Sequence, residues 1–136
     1  MYIATTPLPG FGMEISGVDL SQPNDDQIMR EILQVFHTHG LIVIRNQKLA
    51  FDHFDELTKR FGHQRPHFLD HLRHENHAAI LNLSNIFEEG KPIGVYEGAA
   101  FWHTDVAYED PPNSSTIVYG RQWPEEGCYT YFADQM

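Results

Sequence analysis

The chain has 136 residues, 41% apolar and 21% charged, the composition of a single soluble globular domain spanning residues 1–136. A formal net charge of −10 argues against binding a nucleic-acid backbone or an anionic membrane surface. The densest apolar run, Leu41-Ile42-Val43-Ile44, is too short to span a bilayer, and the N-terminus lacks the basic flank and apolar core of a secretory signal. The single cysteine, Cys128, excludes an internal disulfide framework and fits a reducing, cytoplasmic setting, where it reads as a small half-buried strand residue.

Residues 1–20 carry Pro7, Pro9, Gly10, Gly12 and Gly17 and read as turns around one or two short strands, near Gly12–Ile15 and at Val18. A helix start follows at Asn24-Asp25-Asp26-Gln27, with Asn24 as its cap and Gln27 three residues on. Ile28, Ile32, Val35 and Phe36 recur at the spacing of one helical face, and Gly40 ends the helix. Leu41–Arg45 reads as a buried strand. A second helix is expected from Ala50 to Arg60, with Phe51, Phe54, Leu57 and Phe61 on one side and Gly62 closing it. His63, His67, His71, His74 and His77 then recur every three or four positions. On one helix they would line a face suited to zinc, copper or nickel, but Pro66 opposes a regular helix, and a solvated loop is the plainer reading.

Ala78–Leu83 reads as a strand, and Glu88–Gly94 as a turn-rich loop. Ser115–Gly120 and Cys128–Phe132 alternate as strands around a turn at Trp123-Pro124-Glu125-Glu126-Gly127. Helices and strands first, then consecutive strands, predict an α+β fold with a sheet or partial barrel.

The chemistry centres on Phe101-Trp102-His103-Thr104-Asp105-Val106-Ala107-Tyr108, which reads as a strand ending before Pro111-Pro112. Alternation along a strand points His103 and Asp105 the same way, so an imidazole and a carboxylate can grip one metal ion. That is part of the two-histidine, one-carboxylate arrangement of non-haem Fe(II) oxygenases. A second His-x-Asp, His53-Phe54-Asp55, falls in the second helix, where residues two apart diverge, and is not expected to chelate.

Three blocks together resemble the TauD/TfdA family of Fe(II)- and 2-oxoglutarate-dependent dioxygenases. The first is Gly12-Met13-Glu14-Ile15-Ser16-Gly17-Val18-Asp19-Leu20, with the helix, the Leu41–Arg45 strand and Arg60-Phe61-Gly62 after it. The second is Gly90-Lys91-Pro92-Ile93-Gly94 leading to Trp102-His103-Thr104-Asp105, then Glu109-Asp110-Pro111-Pro112. The third is Gly127-Cys128-Tyr129-Thr130-Tyr131-Phe132-Ala133-Asp134. The Gly90–Gly94 block looks more like the 2,4-dichlorophenoxyacetate branch than the taurine branch. The resemblance implies a double-stranded β-helix (jelly-roll) core, Fe(II), 2-oxoglutarate as cosubstrate, dioxygen, and a small organic acid as substrate. It also implies that His103 and Asp105 are iron ligands, that Thr130 touches a 2-oxoglutarate carboxylate, and that His67 and Val106 border the substrate.

The chain departs from that family in three places. No histidine follows His103 to serve as the second histidine ligand. Arg121 is the only arginine past the metal motif and precedes the third block, so by position it is not the family's 2-oxoglutarate clamp. The third block reads Gly-Cys-Tyr-Thr where the family usually has Gly-Gly-Asp-Thr. The expectation is therefore an N-terminal portion of a dioxygenase domain, with an incomplete jelly roll, inactive alone or dependent on a second chain, and with open edges that favour a homo-oligomer. The alternative is a non-catalytic His-rich metal-binding or interaction domain.

Overall fold

Strand β1 (Ala4–Pro7) pairs antiparallel with β2 (Met13–Ser16), which pairs in parallel with β3 (Ile42–Ile44), in a computed structural model that describes residues 3–96, 101–127 and 129–135. The parallel pairing needs a crossover, and helix α1 (Asp26–His39) supplies it. Its cap is Asp25 rather than the expected Asn24: the Ile28 N–H donates to Asp25 Oδ1 at 2.8 Å, while Asn24 donates to the Asp19 carbonyl. Gly40 ends the helix as expected, at φ 69°, with its N–H on the Phe36 carbonyl. Met29 and Ile32 are buried on the face turned inward, and Ile15 is buried on β2. β3 is half-buried rather than the buried strand its apolar run suggested.

Gly12 shows why this corner is a glycine. It has φ +86°, and a Cβ there would stand 2.9 Å from both the Cβ and the carbonyl oxygen of Leu41. The Met13 N–H donates to that same carbonyl, at 2.9 Å. β1 escaped the sequence reading because all four of its residues are exposed, leaving no alternation to see. Val18 is half-buried irregular chain rather than a second short strand.

The residues divide into two units: Met1–Asp19, Asn24–Gln47 and Ile117–Met136 form the first, Leu20–Pro23 and Lys48–Thr116 the second. The expected strand at Ser115–Gly120 keeps the burial rhythm of a strand, with Ile117 and Tyr119 half-buried and Val118 and Gly120 exposed. It has no ladder partner among the described residues. Within the first unit, the Tyr119 hydroxyl donates instead to the Gln47 carbonyl, at 3.4 Å. Cys128 lies outside the described residues, and Tyr129–Phe132 is exposed and unpaired into any strand rather than the strand expected there.

In the second unit, helix α2 (Phe51–Lys59) packs on β5 (His77–Leu81), which pairs with β4 (Arg73–His74). A short 3-10 turn, Asp70–Leu72, precedes β4. The buried apolar side chains of this unit are Leu20, Leu49 and Ile80. The Glu88–Gly94 stretch, expected as loop, joins Phe87 in a hairpin of β6 (Phe87–Glu88) and β7 (Lys91–Pro92). Glu89 at φ 50° and Gly90 at φ 77° make its turn, since two positive φ angles match the twist of the flanking strands. Helices and strands combine as the α+β pattern requires. Among the described residues the strands form three small sheets rather than a closed jelly roll. No described helix is long and apolar enough to cross a membrane.

Candidate metal centre

His103 and Asp105 lie side by side, although not on a strand. The segment is irregular through Thr104 and then turns over Asp105–Tyr108. Strand alternation is thus not what aligns them. The His103 Nδ1 bonds the Phe101 carbonyl at 2.8 Å, which swings the ring over the chain and leaves Nε2 3.1 Å from Asp105 Oδ1. A carbonyl only accepts, so Nδ1 carries the hydrogen of that bond. Nε2 and the carboxylate oxygen then face each other across 3.1 Å, a separation that one shared cation can bridge.

The donor set fits a cation. Two donors each about 2.1 Å from an ion and at right angles to one another are about 3.0 Å apart, close to what this pair offers. A ligating imidazole is ordinarily fixed by an acceptor on its other nitrogen, the place the Phe101 carbonyl takes here. The side chains are 38% and 43% exposed, so a cation in solvent reaches them. Among the described residues no third histidine, cysteine, aspartate or glutamate joins them in a group able to hold an ion. The other His-x-Asp sits on α2, and Asp55 there is engaged elsewhere, by Lys59 Nζ at 2.9 Å and Gln64 Nε2 at 2.9 Å. Partial burial pushes the Asp55 carboxyl up, but hydrogen bonds from Lys59 and Gln64 and the charges of Lys59 and His77 outweigh it, leaving it below the usual carboxylate range.

Val106, the expected substrate neighbour, is half-buried and stands at φ 52°, an unusual angle for a β-branched residue. His67 accepts the Leu69 N–H on its Nδ1 at 3.1 Å and stacks on Phe68, ring centres 4.5 Å apart. Phe68 in turn meets Tyr108 edge-on at 6.4 Å, so the loop bearing His67 touches the turn that follows Asp105. Thr130 is exposed in irregular chain of the first unit.

The five recurring histidines do not share a face. His63 and His71 are exposed, and His67 lies in the loop before β4. His74 and His77 stand 5.1 Å apart, but the His77 ring faces α2, with Nε2 3.1 Å from Asp52 and Nδ1 3.8 Å from Asp55. The His-rich metal module therefore has no geometric support among the described residues. What sequence reasoning missed is Arg65, which lies among the recurring histidines. Its guanidinium bonds the Glu109 carboxylate and the Pro111 carbonyl just beyond the metal motif, and a contact across 44 residues has no local signature.

The sequence profile of the taurine catabolism dioxygenase TauD, TfdA family matches residues 4–136. Pentalenolactone F synthase of Streptomyces arenae is 31% identical over 107 residues, which are 76% of this chain and 36% of that protein. The alpha-ketoglutarate-dependent sulfonate dioxygenase of Saccharomyces cerevisiae is 29% identical over 133 residues, 93% of this chain and 32% of that protein. A solved structure from Burkholderia xenovorans, named for alpha-ketoglutarate-dependent taurine dioxygenase, superposes with a TM-score of 0.55 at 26% identity, over 63% of this chain and 31% of its own. The chain thus spans about a third of the length of the curated relatives it matches.

Proposed function

This chain belongs to the TauD, TfdA family of dioxygenases, and on that premise we propose that it contributes His103 and Asp105 to the iron site of an Fe(II)- and 2-oxoglutarate-dependent dioxygenase acting on a small organic acid. The observation that carries the reading is the 3.1 Å approach of His103 Nε2 to Asp105 Oδ1, with Nδ1 already committed to a carbonyl. Iron(II), with 2-oxoglutarate and dioxygen, supplies the oxidising chemistry when bound. The chain's own residues bind and orient. His103 offers a neutral nitrogen in the tautomer a metal requires, and Asp105 offers the negative charge that balances a cation. Val106 and His67 are the proposed substrate neighbours, supported by the contact of Phe68 with Tyr108. Thr130 is the proposed contact for a 2-oxoglutarate carboxylate, on resemblance alone.

Two donors hold iron weakly, so the proposal includes further ligands from additional polypeptide, either more of the same domain or a second chain. Its support is that the relatives are about three times as long as the part matched here. The exposed Phe101, Trp102 and Tyr108 of the second unit suit burial by such a segment.

The test is anaerobic titration of the 136-residue chain with Fe(II) and 2-oxoglutarate, reading the visible charge-transfer band of the chelated complex, followed by an assay for succinate in air. The proposal expects iron binding that disappears in His103→Ala, and no succinate from this chain alone. Iron binding indifferent to His103→Ala sinks the ligand assignment. Succinate formation by the isolated chain overturns the need for additional polypeptide.

A further inference from the structure

We propose that Arg65 is a positioning residue for the metal centre: it braces the turn that follows Asp105 and so holds the carboxylate beside His103. This rests on the reading of His103 and Asp105 as ligands. The turn needs a brace. Val106, the residue after Asp105, is β-branched and sits at φ 52°, a conformation that persists only where the surroundings impose it. Within the turn, the bond from the Glu109 N–H to the Val106 carbonyl is long, at 3.3 Å. No strand ladder supports the segment, since Phe101–Pro112 pairs with no strand among the described residues.

Arg65 supplies what the turn lacks. One guanidinium nitrogen, Nη1, donates to Glu109 Oε2 and to the Pro111 carbonyl, the latter at 3.0 Å. The two acceptors lie on either side of Asp110, so the grip fixes the direction of the chain and not only one side chain. Phe68, three residues after Arg65, adds the edge-on ring contact with Tyr108. One loop therefore meets the turn at Tyr108, Glu109 and Pro111, and the same loop carries His67 between its two gripping residues. The arrangement couples the proposed substrate histidine to the metal ligands through the backbone on both sides. Arginine suits the task better than lysine, because its planar fork is charged at every relevant pH and holds its donors in a fixed geometry.

The experiment uses the full 136-residue chain and two readouts. Mn(II) affinity is measured by electron paramagnetic resonance, and deuterium uptake of the Asp105–Pro111 segment is measured by mass spectrometry without metal. The variants are Arg65→Ala, Glu109→Gln, the exchange Arg65→Glu with Glu109→Arg, and His103→Ala as the control for metal binding. The expected results are faster uptake in the turn for Arg65→Ala and a Mn(II) affinity about ten- to a hundredfold weaker, the usual loss for an outer-shell support. Glu109→Gln, which leaves the Arg65 contact with the Pro111 carbonyl, should show the same trend more weakly, and the exchange should recover part of both effects. A general loss of structure would instead speed uptake in α1 and β5 as well. Unchanged uptake in the turn for both Arg65→Ala and Glu109→Gln overturns the brace, whether or not metal binds. Faster uptake with unchanged Mn(II) affinity, while His103→Ala abolishes binding, shows a brace that does not serve the ligands and also overturns the proposal. Mn(II) binding that survives His103→Ala overturns the ligand reading on which it rests, with the uptake data still reporting on the brace.

Discussion

Ile32 is the most direct probe of the frame in the first unit. Its side chain is 1% exposed, on the α1 face that covers β2, where Ile15 is also 1% exposed. Ile32→Ala removes three buried carbon atoms. At about 0.8 kcal/mol each the transfer loss is about 2.4 kcal/mol. The cavity left behind raises the total to about 3–4 kcal/mol, inside the range measured for such truncations. That is a large part of the roughly 5–15 kcal/mol that holds a domain folded. Urea unfolding followed by circular dichroism should show the midpoint falling by about 1–4 M, given slopes of about 1–3 kcal/mol per molar for small domains. Val118→Ala, at a residue 71% exposed, is the matched control and should cost less than about 0.5 kcal/mol. A loss below about 1 kcal/mol for Ile32→Ala would mean that α1 does not seal the sheet in solution, and the packing argument would fail.

Three other perturbations follow from the same geometry. Gly94→Ala would put a Cβ 2.4 Å from the Asn82 carbonyl oxygen, the acceptor of the Val95 N–H, and should cost about 1–3 kcal/mol in thermal or urea melts. Asp25→Ala removes the acceptor for the Ile28 N–H and should lower stability by about 1 kcal/mol, with Asp25→Asn recovering most of it. The Asp55 carboxyl is held below its ordinary value of 3.8, so its contribution is fully present above that pH and is lost as the pH falls through the lower folded value. In acid unfolding, Asp55→Asn should therefore flatten the dependence below pH 3.8 and leave it unchanged near neutrality.

Much of the frame was legible because local chemistry specifies it. The stripe of Ile28, Ile32, Val35 and Phe36 and the left-handed Gly40 marked α1 nearly to the residue, and α2 followed from the same logic. The cap shifted by one residue because Asn24 and Asp25 are both competent acceptors, and only the position of the Ile28 N–H decides between them. β1 was invisible because neither of its faces is buried, and the β6–β7 hairpin because its turn is Glu-Gly rather than a commoner asparagine or aspartate pair. His103 and Asp105 were named from spacing, yet they meet for a different reason: a side-chain bond to the Phe101 carbonyl and a turn, not strand alternation. The strand signal at Ser115–Gly120 was real as a rhythm of burial, but a strand also needs a neighbour, and pattern alone does not supply one. Arg65 lay beyond reach because its partners are 44 and 46 residues away.

The central claim is that His103 and Asp105 hold one divalent cation together. Anaerobic calorimetric titration of Fe(II) into the wild-type chain, His103→Ala, Asp105→Ala and His53→Ala tests it most directly, because His53 begins the other His-x-Asp, on α2. The account predicts that either change at the pair abolishes specific binding while His53→Ala binds as the wild type does. Wild-type affinity in both His103→Ala and Asp105→Ala would contradict it.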